Sequence, residues 1–174
     1  MDSASTGTQA ATGTIATLVR STAEDFGDGT AIRYKRDGAW HERSYSEVLG
    51  IVNEIGLGLI DLGLAAGDRI CLLANTREEW TLCDFAATSA GLVVVPIYPT
   101  NSPEECEWVI SDSGATAIIC EDASQIEKVI AIRDRVPALK TVVVIDGPGG
   151  GALDATTLGE VRERGRARRS RRPS

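Results

Sequence analysis

Three glycine-containing segments have the composition of phosphate-binding loops, in which backbone N–H groups and a lysine surround the anion. They are residues 5–13, 56–58 and 147–151. The first lacks a lysine and follows no predicted strand, and the second lies within an apolar helical stripe, where small residues favour close packing. The third follows a strand, but neither a lysine nor a clear helix comes directly after it, which favours a flexible connector. The sequence therefore predicts no phosphate-binding loop.

Two acidic residues, Glu121 and Asp122, follow an apolar run, the position from which open parallel sheets present Mg²⁺ ligands. The alternative, which we favour, is that they are solvated and support the positive end of the next helix. No second acidic cluster can be placed beside them from the sequence. His41, the only histidine, lies among polar neighbours and is interpreted as a solvated strand residue. We therefore assign no metal-binding residue.

The cysteines are interpreted as structural thiols. They lie in apolar segments and form no CxxC pair: Cys71, Cys83, Cys106 and Cys120. A cysteine nucleophile needs a partner base, and the single histidine is distant in sequence from all of them. We therefore assign no catalytic and no cofactor-binding residue.

Charge is distributed unevenly along the chain. The net charge is -7, but residues 160–174 contain seven arginines and only two acidic residues. The acidic body disfavours nucleic acid and anionic lipid as partners, and only the basic tail could attract them. The first residues lack the basic and apolar regions of an export signal, and no apolar run reaches membrane-spanning length. We expect no stable membrane insertion and a cytoplasmic location.

The elements that must position these residues follow from periodicity and turn signals. Residues 1–14 are predicted to be a disordered leader. Two short runs flank Arg36-Asp37-Gly38 and predict a β-hairpin. Four helices are then predicted from capping boxes, in which a hydroxyl residue precedes a glutamate by three positions: Ser44/Glu47, Thr76/Glu79, Ser102/Glu105 and Ser124/Glu127.

Apolar runs at residues 69–73, 92–95, 116–120 and 141–145 predict parallel strands that are covered on both faces. The chain of 174 residues, with 43% hydrophobic content, is predicted to form one α/β domain. In this domain the β-hairpin precedes an αβαβαβαβ series that forms a mainly parallel, layered sheet. Residues 15–146 would form this unit. Residues 147–174 are predicted to be a flexible, Arg-rich tail containing at most one weak helix near residues 153–164.

The predicted strands and capped helices carry a family resemblance. Four stretches resemble adenylate-forming ligases: residues 31–38 with 43–47, residues 67–69, residues 75–80, and the run Ala-Gly-Leu-Val-Val-Val-Pro-Ile-Tyr-Pro-Thr at 90–100. The Tyr-Pro-Thr ending favours the long-chain fatty acyl-CoA synthetases. The resemblance implies the amino-terminal subdomain of the ligase fold. It also implies a two-step reaction in which fatty acid, ATP and CoA give acyl-CoA, AMP and pyrophosphate through an acyl-adenylate.

The family's ATP, Mg²⁺ and CoA are not expected to bind this chain. The resemblance implies that the family handles them with a Ser/Thr/Gly-rich loop ending in Pro-Lys-Gly, a later Tyr/Thr-Glu segment, a ribose-binding Asp and a carboxy-terminal lysine. None has a counterpart here. Pro96, Tyr98 and Pro99 match a motif whose part is chiefly structural, so no catalytic, cofactor-binding or metal-binding residue is carried over.

The leading hypothesis is a truncated and inactive fragment of a fatty acid–CoA ligase, whose arginine-rich end fits a frameshift or premature stop. Such a fragment would expose an apolar face and could self-associate. A second hypothesis is a stand-alone, flavodoxin-like module that binds a small ligand near Asn75, Thr100 and Glu121. A third is a fragment that a separately encoded remainder completes.

Overall fold

The computed structural model describes residues 13–171. Nearly all of the predicted leader lies outside this range, and Thr14 is the N-cap of the first helix. The helices are α1 Ile15–Phe26, α2 Tyr45–Asp61, α3 Glu78–Ser89, α4 Pro103–Ser113, α5 Ala123–Ile132 and α6 Leu158–Ser170. The strands are β1 Thr30–Arg36, β2 Ala39–Ser44, β3 Arg69–Leu73, β4 Val93–Ile97, β5 Ala117–Cys120, β6 Thr141–Val144 and β7 Thr156–Thr157.

Two sheets confirm the predicted fold class. β1 and β2 form an antiparallel hairpin, with Asp37 and Gly38 at φ values of 51° and 79° in its turn. Such positive φ values suit the tight turns that join two strands. The remaining strands form a five-stranded parallel sheet in the order β4-β3-β5-β6-β7. Within residues 13–171, no helix is both long and apolar enough to cross a membrane.

The parallel sheet is covered on both faces. In β3, Ile70 and Leu72 belong to the core on the side of α2, α3 and α6, whereas Cys71 and Leu73 belong to the core beneath α4 and α5. This alternation follows from the two-residue period of a strand. It explains why the predicted strands are apolar at most positions, without polar alternation. All four cysteines are buried thiols outside any disulfide, as predicted.

Two of the predicted capping boxes are correct. Ser44 accepts a hydrogen bond from the Glu47 N–H at 3.2 Å, while the Glu47 carboxylate accepts one from the Ser44 N–H at 2.8 Å. Ser102 and Glu105 repeat this arrangement at the start of α4. The sequence pattern did identify these two helix starts.

The other two predicted boxes, Thr76/Glu79 and Ser124/Glu127, are wrong. Helix α3 has Arg77 as its N-cap and no side-chain cap, because the Glu79 carboxylate binds guanidinium groups instead. Helix α5 is capped by Asp122, which accepts hydrogen bonds from the N–H groups of Ser124 and Gln125 at 2.9 and 3.2 Å. The favoured role of Asp122, support of a helix start, is thereby confirmed.

The carboxy-terminal segment corrects the prediction of a flexible tail over residues 147–174. Residues 158–170 form α6, whose Leu158, Val161 and Gly165 are buried. A Thr157/Glu160 capping box begins the helix, and α2 supplies the surface on which it packs. The sequence of α6 is polar almost throughout. It therefore lacks the apolar stripe at helical spacing from which a packed helix is predicted. Helix α1 was missed as well.

Glycines allow α2 and α6 to approach closely, as expected for Gly58. A Cβ atom on Gly58 would overlap the carbonyl oxygen of Val161, and one on Gly165 would overlap that of Glu54. Side chains larger than hydrogen at these two positions would therefore push the helices apart.

We predict that Gly165→Ala lowers the free energy of unfolding by about 1–3 kcal/mol, because the added methyl group overpacks the α2–α6 contact. Gly50→Ala is the matched control, since a Cβ there meets no atom within 4 Å. It should raise that free energy by up to about 1 kcal/mol through helix propensity. Urea unfolding measures both; equal stability of Gly165→Ala and the parent would show that the helices do not make this contact.

Candidate functional site

The carboxyl ends of the parallel strands meet at one edge of the sheet. From β3 the chain crosses to β4 on one side, and from β4 it returns past β3 to β5 on the other. This reversal opens a crevice beyond β3 and β5, the usual ligand position in open α/β sheets. The residues that follow these strands, including Asn75, Arg77 and Glu121, therefore constitute the candidate site.

Arg77 occupies this crevice and binds three carboxylates. Its Nε donates to Glu79 at 2.7 Å, and its Nη1 donates to Asp146 at 2.5 Å and to Glu121 at 3.3 Å. The second oxygen of Glu121 accepts hydrogen bonds from the backbone N–H and the side-chain amide of Asn75, at 2.7 and 2.8 Å. The ends of β3, β5 and β6 are thus joined through one guanidinium. We call these five residues the Arg77 cluster.

Two further ion pairs attach the hairpin to the start of α3, one of them to a member of the Arg77 cluster. Arg36 binds Glu79, and Arg43 binds Glu78, whose side chain is only 2% exposed. Both guanidinium groups also lie over the ring of Tyr34, at 5.4 and 5.6 Å from its centroid. His41, which sequence reasoning left as a solvated strand residue, stacks on that ring. The hairpin therefore covers the start of α3.

The ion pairs decide the charge state of Glu79. Burial raises the pKa of its carboxyl group, but the hydrogen bond from Arg77 and the charges of Arg77 and Arg36 outweigh burial and leave the pKa below its usual 4.5. Burial lowers the pKa of Arg77, but the hydrogen bonds to Glu79 and Asp146 raise it by more. The pKa of Arg77 therefore lies above its ordinary value. Both groups are held in their charged forms.

The Arg77 cluster has little capacity for an added anion or metal ion. Its guanidinium is matched by three carboxylates, and both oxygens of Glu121 are already hydrogen-bonded. Among residues 13–171, no group of three or more His, Cys, Asp or Glu side chains has a metal-binding arrangement. The geometry therefore supports a structural role for Glu121 in preference to Mg²⁺ coordination.

Two clefts flank the Arg77 cluster. The larger one, about 1030 Å³, lies between the hairpin and the carboxyl edge of the sheet. The smaller one, about 480 Å³, lies where β3 and β4 end and is lined by Trp80, Tyr98 and both prolines of the Pro-Ile-Tyr-Pro turn. Tyr98 is 79% exposed there. Of the residues proposed for a ligand module, Asn75 and Glu121 are brought into contact, whereas Thr100 lies in the smaller cleft.

Sequence reasoning missed two residues that hold this edge together. Arg77 lies within the family-like stretch 75–80, so the resemblance was the available signal. Lys128 of α5 donates to the carbonyl oxygens of Pro99 and Asn101, at 2.6 and 2.9 Å, and thereby fixes the turn after β4. Nothing in the sequence pairs Lys128 with that turn, because 27 or more residues separate them.

The best placed of the glycine-rich segments forms a turn between β6 and β7. Gly147, Gly150 and Gly151 have positive φ values, and the Gly150 N–H donates to the Ala155 carbonyl at 2.6 Å. This N–H is therefore not directed at a ligand. Most of residues 5–13 lies outside the described range.

We predict that Arg77→Gln lowers the free energy of unfolding by about 2 kcal/mol near neutral pH, because three carboxylates lose their shared cation. Glu79 titrates at a lower pH when folded than its ordinary 4.5, so its stabilisation is present above pH 4.5 and is lost as the pH falls through the folded value. The variant should lose less stability over that acidic range. Denaturant titration at several pH values measures both effects.

The control for Arg77 is Arg33→Gln, which removes an exposed ion pair with Glu42. That change should cost less stability than Arg77→Gln does, because water screens exposed pairs. An Arg77 variant no less stable than the Arg33 variant would contradict the proposed joining role.

We predict that none of the thiols reacts with a disulfide reagent in the native protein at mildly alkaline pH. Burial raises the pKa of Cys71 and of Cys83 to about 12 and raises that of Cys106 and Cys120. The thiolate, which is the reactive form, is therefore scarce. All four should react in guanidinium chloride. Rapid labelling of any cysteine without denaturant would contradict the burial described.

Comparisons with known proteins agree with this architecture. Residues 19–170 match the AMP-binding enzyme family. A long-chain-fatty-acid–CoA ligase, FadD15, of Mycobacterium bovis is 40% identical over 132 residues, which cover 75% of this chain and 22% of the ligase. The ligase ACSBG1 of Bos taurus is 30% identical over 131 residues, covering 75% of this chain and 18% of that protein. The chain thus spans about a fifth of the length of these relatives.

Solved structures show the same fold. An anthranilate CoA ligase, AuaEII, in complex with anthranoyl-AMP superposes with a TM-score of 0.76 at 23% identity, over 86% of this chain and 27% of that one. The long-chain-fatty-acid-CoA ligase FadD1 of Archaeoglobus fulgidus gives 0.74 at 20% identity, over 86% and 29%. The resemblance found in the sequence is confirmed, and the chain belongs to the AMP-binding enzyme family.

Proposed function

We propose that this chain is the amino-terminal α/β part of a long-chain fatty acid–CoA ligase. The observation that carries the proposal is the identity of 40% with a long-chain-fatty-acid–CoA ligase, over a segment that is only 22% of that protein. In the complete enzyme a fatty carboxylate would attack the α-phosphate of ATP, and the CoA thiol would then displace AMP. This chain would supply the sheet and the turns on which the rest of the enzyme packs.

We further propose that the chain by itself does not form an acyl-adenylate. The attack on phosphate develops negative charge, which cations and aligned N–H donors must stabilise. The sequence contains no Pro-Lys-Gly loop. The Arg77 guanidinium, which lies where a nucleotide would be expected, is matched by three carboxylates. These observations support inactivity of the isolated chain; the cytoplasmic location stays a prediction.

Self-association of the isolated chain is part of the same proposal. β4 lies at one edge of the five-stranded sheet, and Val93 in it is 50% exposed. Trp108 of α4 and Tyr98 are more exposed still. Contiguous apolar surface of a soluble protein usually lies at an interface, and we propose that these side chains contribute to one. They support a role for this edge in contacts with the remainder of the enzyme.

We predict that the purified 174-residue chain gives no ATP–pyrophosphate exchange with a long-chain fatty acid, because it has no Pro-Lys-Gly loop to hold a cation and N–H donors against the phosphates. A complete ligase from the same family, assayed alongside, controls for the reagents. Size-exclusion chromatography of the chain should show species larger than a monomer.

Two further results would separate the alternatives. Exchange activity that the chain recovers when mixed with the remaining part of such a ligase would indicate complementation. Exchange by the chain alone, free of contaminating synthetase, would refute the proposed inactivity. A monomer whose melting temperature rises with nucleotide, CoA or Mg²⁺ would favour the stand-alone module.

A further inference from the structure

Helix α6 presents a row of arginines to solvent. We define the basic ridge as the four exposed arginines of the helix and the arginine that follows it: Arg164, Arg166, Arg168, Arg169 and Arg171. Ala167 is the only apolar residue exposed among them. The ridge is therefore a charged surface without an apolar component.

Packing on α2 fixes the direction in which the ridge points. Gly165 lies against the Glu54 backbone, so α6 cannot rotate without a clash. Glu54 binds both Arg162 and Arg166, at 2.8 and 3.1 Å. Asp61 lies 3.5 Å from Arg164 and also 3.5 Å from Arg168. Two carboxylates thus serve four guanidinium groups, and the positive charge is only partly compensated.

The end of the ridge has no compensation at all among residues 13–171. Arg169 and Arg171 form no ion pair with any residue in that range, and both side chains are exposed. Within the basic ridge, they are therefore the two positions at which an anion can be contacted without breaking an existing pair.

One acidic cluster of the chain lies on the other face of the sheet. Helix α4 contains Glu104, Glu105, Glu107 and Asp112 and no basic residue. It packs on the core of β3 and β5 opposite to the core that includes α6. Two layers of roughly 10 Å each separate the helices, which exceeds the Debye length of about 8 Å at physiological salt. An anionic surface that contacts the ridge is therefore screened from α4.

We propose that the basic ridge docks this protein on the anionic surface of a lipid bilayer. The proposal rests on the proposed function, because a long-chain fatty acid partitions into bilayers and a ligase would meet it there. Guanidinium groups form paired hydrogen bonds with phosphate and carboxylate oxygens of lipid headgroups. With Ala167 as its only exposed apolar residue, the ridge binds at the headgroups without insertion. We favour a flat anionic surface over a nucleic acid as the partner. The ridge has five outward charges but no aromatic or amide side chain that could contact bases.

The test is sedimentation of the 174-residue chain with vesicles, either phosphatidylcholine alone or equimolar phosphatidylcholine and phosphatidylglycerol. We expect binding only to the mixed vesicles and its loss at high salt. Arg169→Gln combined with Arg171→Gln should weaken partitioning about 30-fold, from the usual contribution of one arginine near an anionic membrane. Thermal unfolding of each variant verifies folding.

The matched control is Lys35→Gln combined with Lys140→Gln, which removes the same charge from two exposed positions away from α6. It should weaken partitioning less than about threefold. Equal weakening by the two double variants, or no binding of the parent protein to mixed vesicles, would overturn the proposal. Binding to a DNA duplex without binding to vesicles would overturn it in favour of nucleic acid. Vesicle binding needs neither ATP nor CoA, so its failure would leave the ligase assay, and the proposed function, untouched.

Discussion

Burial of the parallel sheet on both faces determines where the helices and the polar groups of this molecule can lie. Every side chain of β3 beyond Arg69 is buried, and successive residues enter different cores. Helices must therefore cover both sides, and each connection must cross the sheet above or below it. The strands can then contain few polar groups. Polar chemistry is confined to the ends of the strands, where the backbone leaves the sheet.

The carboxyl edge shows how such polar groups are accommodated. A charge removed from water is costly unless partners compensate it. Arg77 finds three carboxylates, and Glu121 finds the amide groups of Asn75 as well. The site that in open α/β sheets commonly receives a ligand is used here to join three strand ends and the hairpin. This edge of the sheet therefore has the geometry of a structural junction.

The contact between α2 and α6 has two consequences. Gly58 and Gly165 allow backbone contact, which draws a highly polar helix onto the core side of the sheet. The same contact places Glu54 and Asp61 beneath four guanidinium groups and directs the remaining arginines outward. Helix α4 places an acidic cluster on the opposite face of the sheet, away from these arginines.

Local and periodic features were predictable. The hairpin, the apolar strands, the buried cysteines and the Ser44 and Ser102 caps follow from interactions within a few residues or from the burial that apolar runs require. The family resemblance also lay in short contiguous stretches. The capping boxes predicted at Thr76 and Ser124 do not form. The Glu79 carboxylate instead binds Arg36 of the distant hairpin, and Asp122 accepts the hydrogen bond from the Ser124 N–H.

Sequence alone thus determined the α/β class, the parallel strands and the family. Tertiary structure decided the Arg77 cluster, the Lys128 contact with the turn after β4, and the existence of α6. Each of these depends on groups that are far apart in the chain; Arg162, for example, is 108 residues from its partner Glu54. A charged side chain has no intrinsic preference among distant partners. Only the packing of the apolar core fixes which ones come within hydrogen-bonding distance.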